Sequence, residues 1–132
     1  MLTEFPYNSI SVLVSVALVS ALISGLLGVV LTLWVTRRRE KRATRVETLR
    51  RFAGYRYDIT GAEFMRTLNE VFVVFNSDAE VMGALRDFHA GIGQPSGQND
   101  KLIRLYKEMC RASEIDYADF NDSFFFKPFS PG

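Results

Sequence analysis

The chain has 132 residues, of which 48% are hydrophobic, and a formal net charge of +1. One cysteine and one histidine exclude an internal disulfide and a self-contained Cys/His zinc site. The small net charge is the sum of two regions of opposite net charge. Residues 37–56 carry nine Arg or Lys against two Glu, whereas residues 57–132 carry seven basic and twelve acidic side chains. We expect this split, rather than the total, to bear on function.

Residues 9–35 form the most apolar run, and we expect them to cross a membrane as one helix. The run contains no charged residue and no proline. As a helix it would reach roughly 40 Å, against a hydrocarbon core of about 30 Å. A cleaved signal peptide is disfavoured because residues 1–8 contain no Lys or Arg, the run is too long, and it ends in three arginines at 37–39.

The same charges predict the orientation of the chain. Lys and Arg resist translocation and collect on the cytoplasmic side of a membrane. The nearby positive charge all follows the apolar run. The sequence therefore predicts a single-pass protein of the bacterial inner membrane, with a short extracytoplasmic N-terminus (1–8) and a cytoplasmic C-terminus.

Small residues occupy one face of the predicted membrane helix. Helices in lipid associate through close backbone approach and polar contacts across such residues, so this face predicts packing against copies of itself. Small residues also occur in membrane helices that do not associate. Serines on this face would line a narrow polar path in a bundle of four or more helices, or form interhelical hydrogen bonds in a dimer or trimer, and the sequence leaves both open. The face consists of Ala17, Ser20, Ala21, Ser24, Gly25 and Gly28.

Beyond the membrane run the sequence predicts an all-α cytoplasmic part. Residues 36–57 are basic and lack proline, and are expected to continue the helix as a juxtamembrane stalk. Residues 58–132 are expected to form a small bundle of three helices with an extended, aromatic C-terminal tail. Capping patterns mark the expected helix starts at Thr60 with Glu63, at Ser77 with Glu80, and at Asn99 or Asp100.

The tail predicts a subunit interface. It carries more aromatic surface than a lone small domain usually leaves in a tail, because three short helices bury only a marginal core. A contact between copies would cover these rings, in agreement with the small-residue face of the membrane helix. The rings belong to Phe124, Phe125, Phe126 and Phe129.

One cytoplasmic cluster combines cations with aromatic rings and is the candidate ligand site. Arg pairs bidentately with phosphate, and aromatic rings stack on bases. Repeated around a symmetry axis, such a cluster would suit an anionic, symmetric ligand. Alternatively, it pairs with acidic residues of the bundle such as Glu63 or Glu70. The candidate residues are Arg50, Arg51, Tyr55, Arg56 and Tyr57, with Lys127 joining from the tail.

The remaining titratable residues form no catalytic or metal-binding pattern. A single histidine on an amphipathic helix is typical of a partly exposed polar residue, and a single cysteine of a small buried apolar one. The acidic residues near the tail lack the partners of a metal loop. We therefore expect no enzymatic activity, no cofactor and no metal. The residues concerned are His89, Cys110, Glu114, Asp116, Asp119 and Asp122.

Four short stretches carry a resemblance to a known family: Leu68-Asn69 before the run VFVVF, Asn99-Asp100, Met109, and a closing aromatic-Ser-Pro. Over residues 45–131 the chain resembles short bacterial membrane proteins of formerly unknown function, which have N-terminal membrane helices and a small cytosolic helical domain. Its architecture is also similar to that of membrane-anchored ancillary effectors of type III CRISPR defence, whose cytosolic domain binds cyclic tetra-adenylate. The second resemblance implies a homotetramer.

Two main hypotheses of function follow. In the first, the protein is an oligomeric single-pass effector whose cytosolic domain senses a cyclic oligoadenylate in antiphage defence and alters the membrane, with no DNA partner. In the second, it is a bitopic scaffold that recruits a partner protein through its cytosolic helical domain. A third possibility, a constitutive pore, requires Ser20 and Ser24 to face a wet lumen.

Overall fold

The fold is all-α, as the sequence predicts. A computed structural model describes residues 7–94, 96–127 and 129, so most of the expected extracytoplasmic segment and the closing Ser130-Pro131 lie outside the described residues. Within those ranges the chain contains helices and no strand. It divides into two compact units, the first ending at Arg39 and the second beginning at Glu40. The helices are α1 Tyr7–Tyr55, α2 Ala62–Val74, α3 Ala79–Ala90, α4 Gln98–Ala112 and α5 Asp122–Phe126.

The first unit is formed by the apolar part of α1. This helix is long and apolar enough to cross a membrane by length and composition, and none of its most apolar 18-residue window is buried. A core helix of a soluble domain would bury most of such a window. The predicted span, residues 9–35, lies wholly within α1.

The second unit is a four-helix bundle, and its first helix is the C-terminal part of α1. Thr48, Leu49 and Phe52 of that part are buried. The predicted juxtamembrane stalk is therefore helical, and from Glu40 onward it also belongs to the bundle. The basic composition of residues 40–56 conceals this role, because few apolar positions are needed to bury one face of a four-turn helix.

Four contacts establish the order of the helices around the bundle. The ring of Phe52 in α1 lies 5.2 Å from that of Phe64 in α2, which in turn lies 6.3 Å from Phe88 in α3. Helices α3 and α4 pack directly against each other. The ring of Tyr106 in α4 lies 6.4 Å from Phe52, which closes the cycle. The α1–α4 groove and the α2–α3 groove consequently lie on opposite sides of the bundle.

The helix starts differ in detail from the predicted capping patterns. Helix α2 follows Gly61, which offers no side-chain cap, while the Thr60 hydroxyl donates to the Asp58 carboxylate at 3.2 Å. Helix α3 is capped by Asp78, whose Oδ1 accepts from the Val81 backbone N–H at 3.2 Å, rather than by Ser77. Helix α4 follows Gly97, whose φ of 81° lies in the left-handed region that glycine tolerates best.

The tail contains a helical turn where the sequence predicts an extended chain. Asn121 caps α5 by accepting from the Ser123 backbone N–H at 2.9 Å. Phe125 is 3% exposed and packs between Phe52 and Tyr106, so the tail covers the α1–α4 groove. Five residues are too short for a periodic apolar pattern, which explains why the sequence does not reveal this helix.

Candidate functional site

The predicted ligand-binding residues of α1 are drawn partly into contacts within the bundle. The Arg51 guanidinium donates to both carboxylate oxygens of Glu70, at 2.8 and 2.9 Å, and lies 3.5 Å from Glu47. The hydrogen bond and the charge of Glu70 raise the pKa of Arg51 above its ordinary value. The buried Thr48 hydroxyl also donates to Glu70, at 2.7 Å. The pairing with Glu70 that the sequence left open as an alternative is thus present in the single chain.

Arg56 holds the tail. Its Nε donates to the Phe125 carbonyl at 2.7 Å, and its Nη2 to the Phe124 carbonyl at 3.1 Å. Its Nη1 donates to the carbonyl of Ala53, one turn earlier in α1. The guanidinium carbon lies 5.6 Å from the centre of the Phe125 ring, so a cation–π contact adds to the carbonyl bonds. Arg56 therefore fixes both the backbone and the ring of the anchoring residue of the tail.

The other candidates keep more of their side chains open to solvent. The Arg50 side chain is 76% exposed and pairs with Glu47 at 3.3 Å, and Tyr57 is 68% exposed. Lys127 is exposed at the end of α5, and Tyr55 packs against the edge of the core. The nearest cavity, beside Tyr55 and Tyr57, is about 130 Å³ and is bordered by the acidic Asp58. That volume lies below the range of about 300–1,000 Å³ usual for small-molecule sites.

A second basic group, which the sequence assigns only to the stalk, joins α1 to the end of α4. Arg45 Nη1 donates to the Ala112 carbonyl at 2.9 Å, and Arg42 Nε donates to the Ser113 carbonyl at 3.2 Å. Cations at a helix C-terminus satisfy carbonyls that have no partner within the helix, and they oppose the negative end of its dipole. Part of the basic run therefore stabilises the bundle.

The start of α3 meets the same group. Lys41 Nζ and Arg45 Nη2 lie 3.1 and 3.3 Å from the Ser77 hydroxyl. Arg111 in α4 pairs with Asp78 at 2.6 Å. Burial opposes ionisation of Asp78, but the Val81 N–H and the Arg111 guanidinium outweigh it, and the pKa of Asp78 falls below its ordinary value. These contacts lock the start of α3 to α1 and α4.

An apolar groove between α2 and α3 is a feature that the sequence alone does not reveal. The groove encloses about 320 Å³, and Phe72 on its wall is 57% exposed. A neighbouring cavity of about 550 Å³ shares Phe88 and Ile92 with it. The apolar spacing of α2 and α3 was visible in the sequence, but spacing alone does not separate residues that face the core from residues that face outward. The groove is lined by Leu68, Phe72, Met82, Leu85 and Ile92, with Arg86 and His89 among its polar residues.

The small-residue face of α1 is open in the single chain. All six predicted packing residues are exposed, and a Cβ atom built on Gly25 or Gly28 would meet no atom within 4 Å apart from the adjoining turns of its own helix. The hydroxyls of Ser15 and Thr32 donate to carbonyls four residues earlier in the helix. The residues of this face are Ala17, Ser20, Ala21, Ser24, Gly25 and Gly28.

A comparison with protein families matches a range that includes both units. The model of the family of unknown function DUF6680 matches residues 8–117. The chain belongs to the DUF6680 family. The matched range contains the apolar helix and all four helices of the bundle, and it stops before α5. No curated protein and no solved structure matches the chain.

The titratable residues of this DUF6680 protein offer no metal cluster in the part of the chain that the structure describes. Cys110 is fully buried, and burial raises the pKa of its thiol, which keeps it protonated and unreactive. Burial and the adjacent Cys110 raise the pKa of the Tyr106 phenol to about 12.

Proposed function

We propose that this protein is a bitopic membrane scaffold whose cytosolic bundle binds protein at the membrane surface. One observation carries the proposal: the bundle buries a complete core yet leaves apolar surface open on two sides. One side is the α2–α3 groove, and the other is the aromatic surface of the tail, formed by Phe124, Phe126 and Phe129 at 56%, 41% and 86% exposure. Apolar surface of this kind marks interaction sites on soluble domains.

The proposed topology rests on the apolar helix and on the charges that follow it. An unburied apolar helix is suited to lipid, and nine Arg or Lys in residues 37–56 favour retention of that side in the cytoplasm. The scaffold would thus sit in the bacterial inner membrane with its N-terminus outside and its bundle in the cytoplasm. The open face around Gly25 supports self-association of the membrane helix.

Site-specific photocrosslinking in intact membranes tests the proposal. The photoreactive residue benzoylphenylalanine replaces Phe72 in the groove or Phe129 in the tail of the full-length chain. Val73 is the matched control, because it is 65% exposed and apolar but lies outside the groove lining. We expect light-dependent protein adducts at positions 72 and 129 and none at 73. Failure of both test positions to capture protein would overturn the scaffold.

A second candidate function is the sensing of a cyclic oligoadenylate by an oligomeric effector that alters the membrane. It is favoured by the exposed cation and ring of Arg50 and Tyr57 near the end of α1, which suit phosphate and base respectively. Against it, the Arg51 and Arg56 guanidinium groups already bind Glu70 and tail carbonyls.

Calorimetry of the detergent-solubilised full chain with cyclic tetra-adenylate tests this candidate. Binding should weaken steeply with salt, because phosphate contacts release counterions. Arg50→Ala should reduce the affinity, whereas Arg66→Ala should not, because Arg66 is exposed and pairs with Glu63 one turn away. Absence of heat with any cyclic oligoadenylate would remove the candidate.

A further inference from the structure

The α2–α3 groove combines apolar lining residues with the cationic side chain of Arg86. Leu68, Met82 and Leu85 are among the apolar lining residues, and each is partly buried. Arg86 and His89 lie among the lining residues, and neither forms an ion pair within residues 7–94, 96–127 and 129. The groove thus suits an occupant with apolar side chains and negative charge close to them.

The tail of the same chain has that composition. Between Ser113 and Lys127 it carries four acidic residues against one basic residue. Asp119 is exposed and has no ion-pair partner in the described part of the chain. Phe124 and Phe129 expose most of their rings, which lie 6.0 Å apart. Acidic and aromatic groups are therefore close neighbours on one short segment.

A chain does not fill its own groove with this segment. Phe125 and Asp122 hold the tail on the α1–α4 side, the latter by pairing with Lys107 of α4 at 3.2 Å. Arg56 of α1 adds its bonds to the tail carbonyls. The groove lies on the α2–α3 side, opposite in the bundle. The acidic, aromatic tail and the groove with positive charge thus face away from each other in one molecule.

We propose that the tail of one copy docks into the α2–α3 groove of a second copy of this chain. The proposal rests on the scaffold function above and names its first partner. Contact between two different surfaces is head-to-tail, so each bound copy still offers one free groove and one free tail. Such contacts close into a ring when the rotation per copy allows it, and otherwise continue as a row. Confinement to one membrane raises the effective concentration of the copies and favours the contact.

Disulfide crosslinking between two differently tagged full-length copies tests the docking. One copy carries Phe129→Cys, and the other carries Phe72→Cys in the groove or Val73→Cys beside it. The native Cys110 is fully buried, so the introduced cysteines are the reactive thiols. After co-expression and mild oxidation of the membranes, we expect the 129–72 disulfide in several-fold higher yield than the 129–73 disulfide. Equal yields, or no disulfide with either partner, would overturn the proposal.

A charge reversal tests the electrostatic part of the argument in the same assay. Arg86→Glu in the groove-bearing copy should lower the 129–72 yield several-fold, because the acidic tail then meets a like charge. Arg66→Glu is the control, since Arg66 is exposed on α2 outside the groove lining. If the 129–72 yield with Arg86→Glu is unchanged, charge complementarity does not contribute to the contact, and the docking proposal is wrong.

The two proposals fail in different ways. If benzoylphenylalanine at positions 72 and 129 captures other proteins while the copies form no disulfide, the docking of copies is wrong and the scaffold stands. If those positions capture no protein of any kind, both are wrong. A lipid adduct at position 72 would assign the groove to the membrane and overturn the docking.

Discussion

Phe125→Ala should unfold the bundle far more readily than the same change at either neighbouring phenylalanine. The ring of Phe125 is 3% exposed and lies 4.9 Å from Tyr106, 6.1 Å from Phe120 and 6.5 Å from Phe52. It also accepts the cation–π contact from Arg56. Truncation leaves a cavity in the α1–α4 groove and removes the contact that anchors α5.

The magnitude follows from burial. Truncation of a fully buried phenylalanine to alanine lowers the free energy of unfolding by about 3–5 kcal/mol. The whole free energy of unfolding of a domain is about 5–15 kcal/mol. Phe124→Ala removes a ring that is 56% exposed and whose described ring contact is with Phe129, so it should cost under about 1 kcal/mol. Phe126→Ala also removes the edge contact with Phe125 at 5.7 Å, worth about 0.5–1.5 kcal/mol.

Unfolding of the bundle can be measured by the chemical labelling of Cys110. It is the single cysteine, it is fully buried, and burial raises the pKa of its thiol, so a maleimide should label it only after the bundle opens. Labelling of the full chain in detergent is measured across a urea series. The free energy of unfolding falls by about 1–3 kcal/mol per molar urea, so the urea concentration at the midpoint of labelling should be lower for Phe125→Ala by at least about 1 M. Equal midpoints for Phe125→Ala and Phe124→Ala would refute the tail as part of the core.

The same labelling assay tests two further contacts, and energy transfer between copies tests the membrane helix. Arg45→Ala should cost about 1–3 kcal/mol of folding free energy, because it removes the hydrogen bond to the Ala112 carbonyl at the end of α4, whereas Arg50→Ala should cost under about 0.5 kcal/mol; equal costs would contradict the role of Arg45 in joining α1 to α4. Asp78→Ala should cost about 1–2 kcal/mol, and Asp78→Asn less, since Asn also caps. The folded state lowers the pKa of Asp78, so the charged side chain stabilises the fold at pH values above its ordinary pKa of 3.8. The stability difference between the native chain and Asp78→Asn should therefore vanish as the pH falls through the lowered pKa. A difference that does not change with pH would refute this. Gly25→Leu should reduce energy transfer between labelled copies in vesicles several-fold, whereas Val19→Leu on the opposite face should not; equal effects would exclude the small-residue face.

The elements that the sequence predicts correctly are those set by residue type over a long window. Residues 9–35 lack charge altogether, and α2, α3 and α4 repeat apolar residues at helical spacing, so their class follows from periodicity. Helix starts depend on single hydrogen bonds instead. Ser77 and Asp78 are adjacent and both good caps, and only the fold decides that Asp78 reaches the Val81 N–H while Ser77 meets Lys41.

The candidate site was less predictable because charge pairing depends on tertiary distance. The sequence identifies Arg51 and Arg56 as available cations, yet Glu70 lies 19 residues from Arg51 and Phe125 lies 69 from Arg56. Nothing local in the sequence separates these two from Arg50, which stays exposed. The same limit applies to apolar residues. Phe72 and Val71 are neighbours on α2, and one is 57% exposed while the other is fully buried.

The two grooves of the bundle present the same physical problem with two different solutions. Each is an apolar channel between neighbouring helices, and exposed apolar surface is unfavourable in water. The chain closes the α1–α4 groove in cis with Phe125, supported by Arg56. The α2–α3 groove keeps its apolar lining, and the tail that fills the first groove presents Phe124 and Phe129 outward. In the docking proposed above, a second copy would supply those rings. The contact would be of the kind that closes the first groove, where an aromatic ring packs beside a cation.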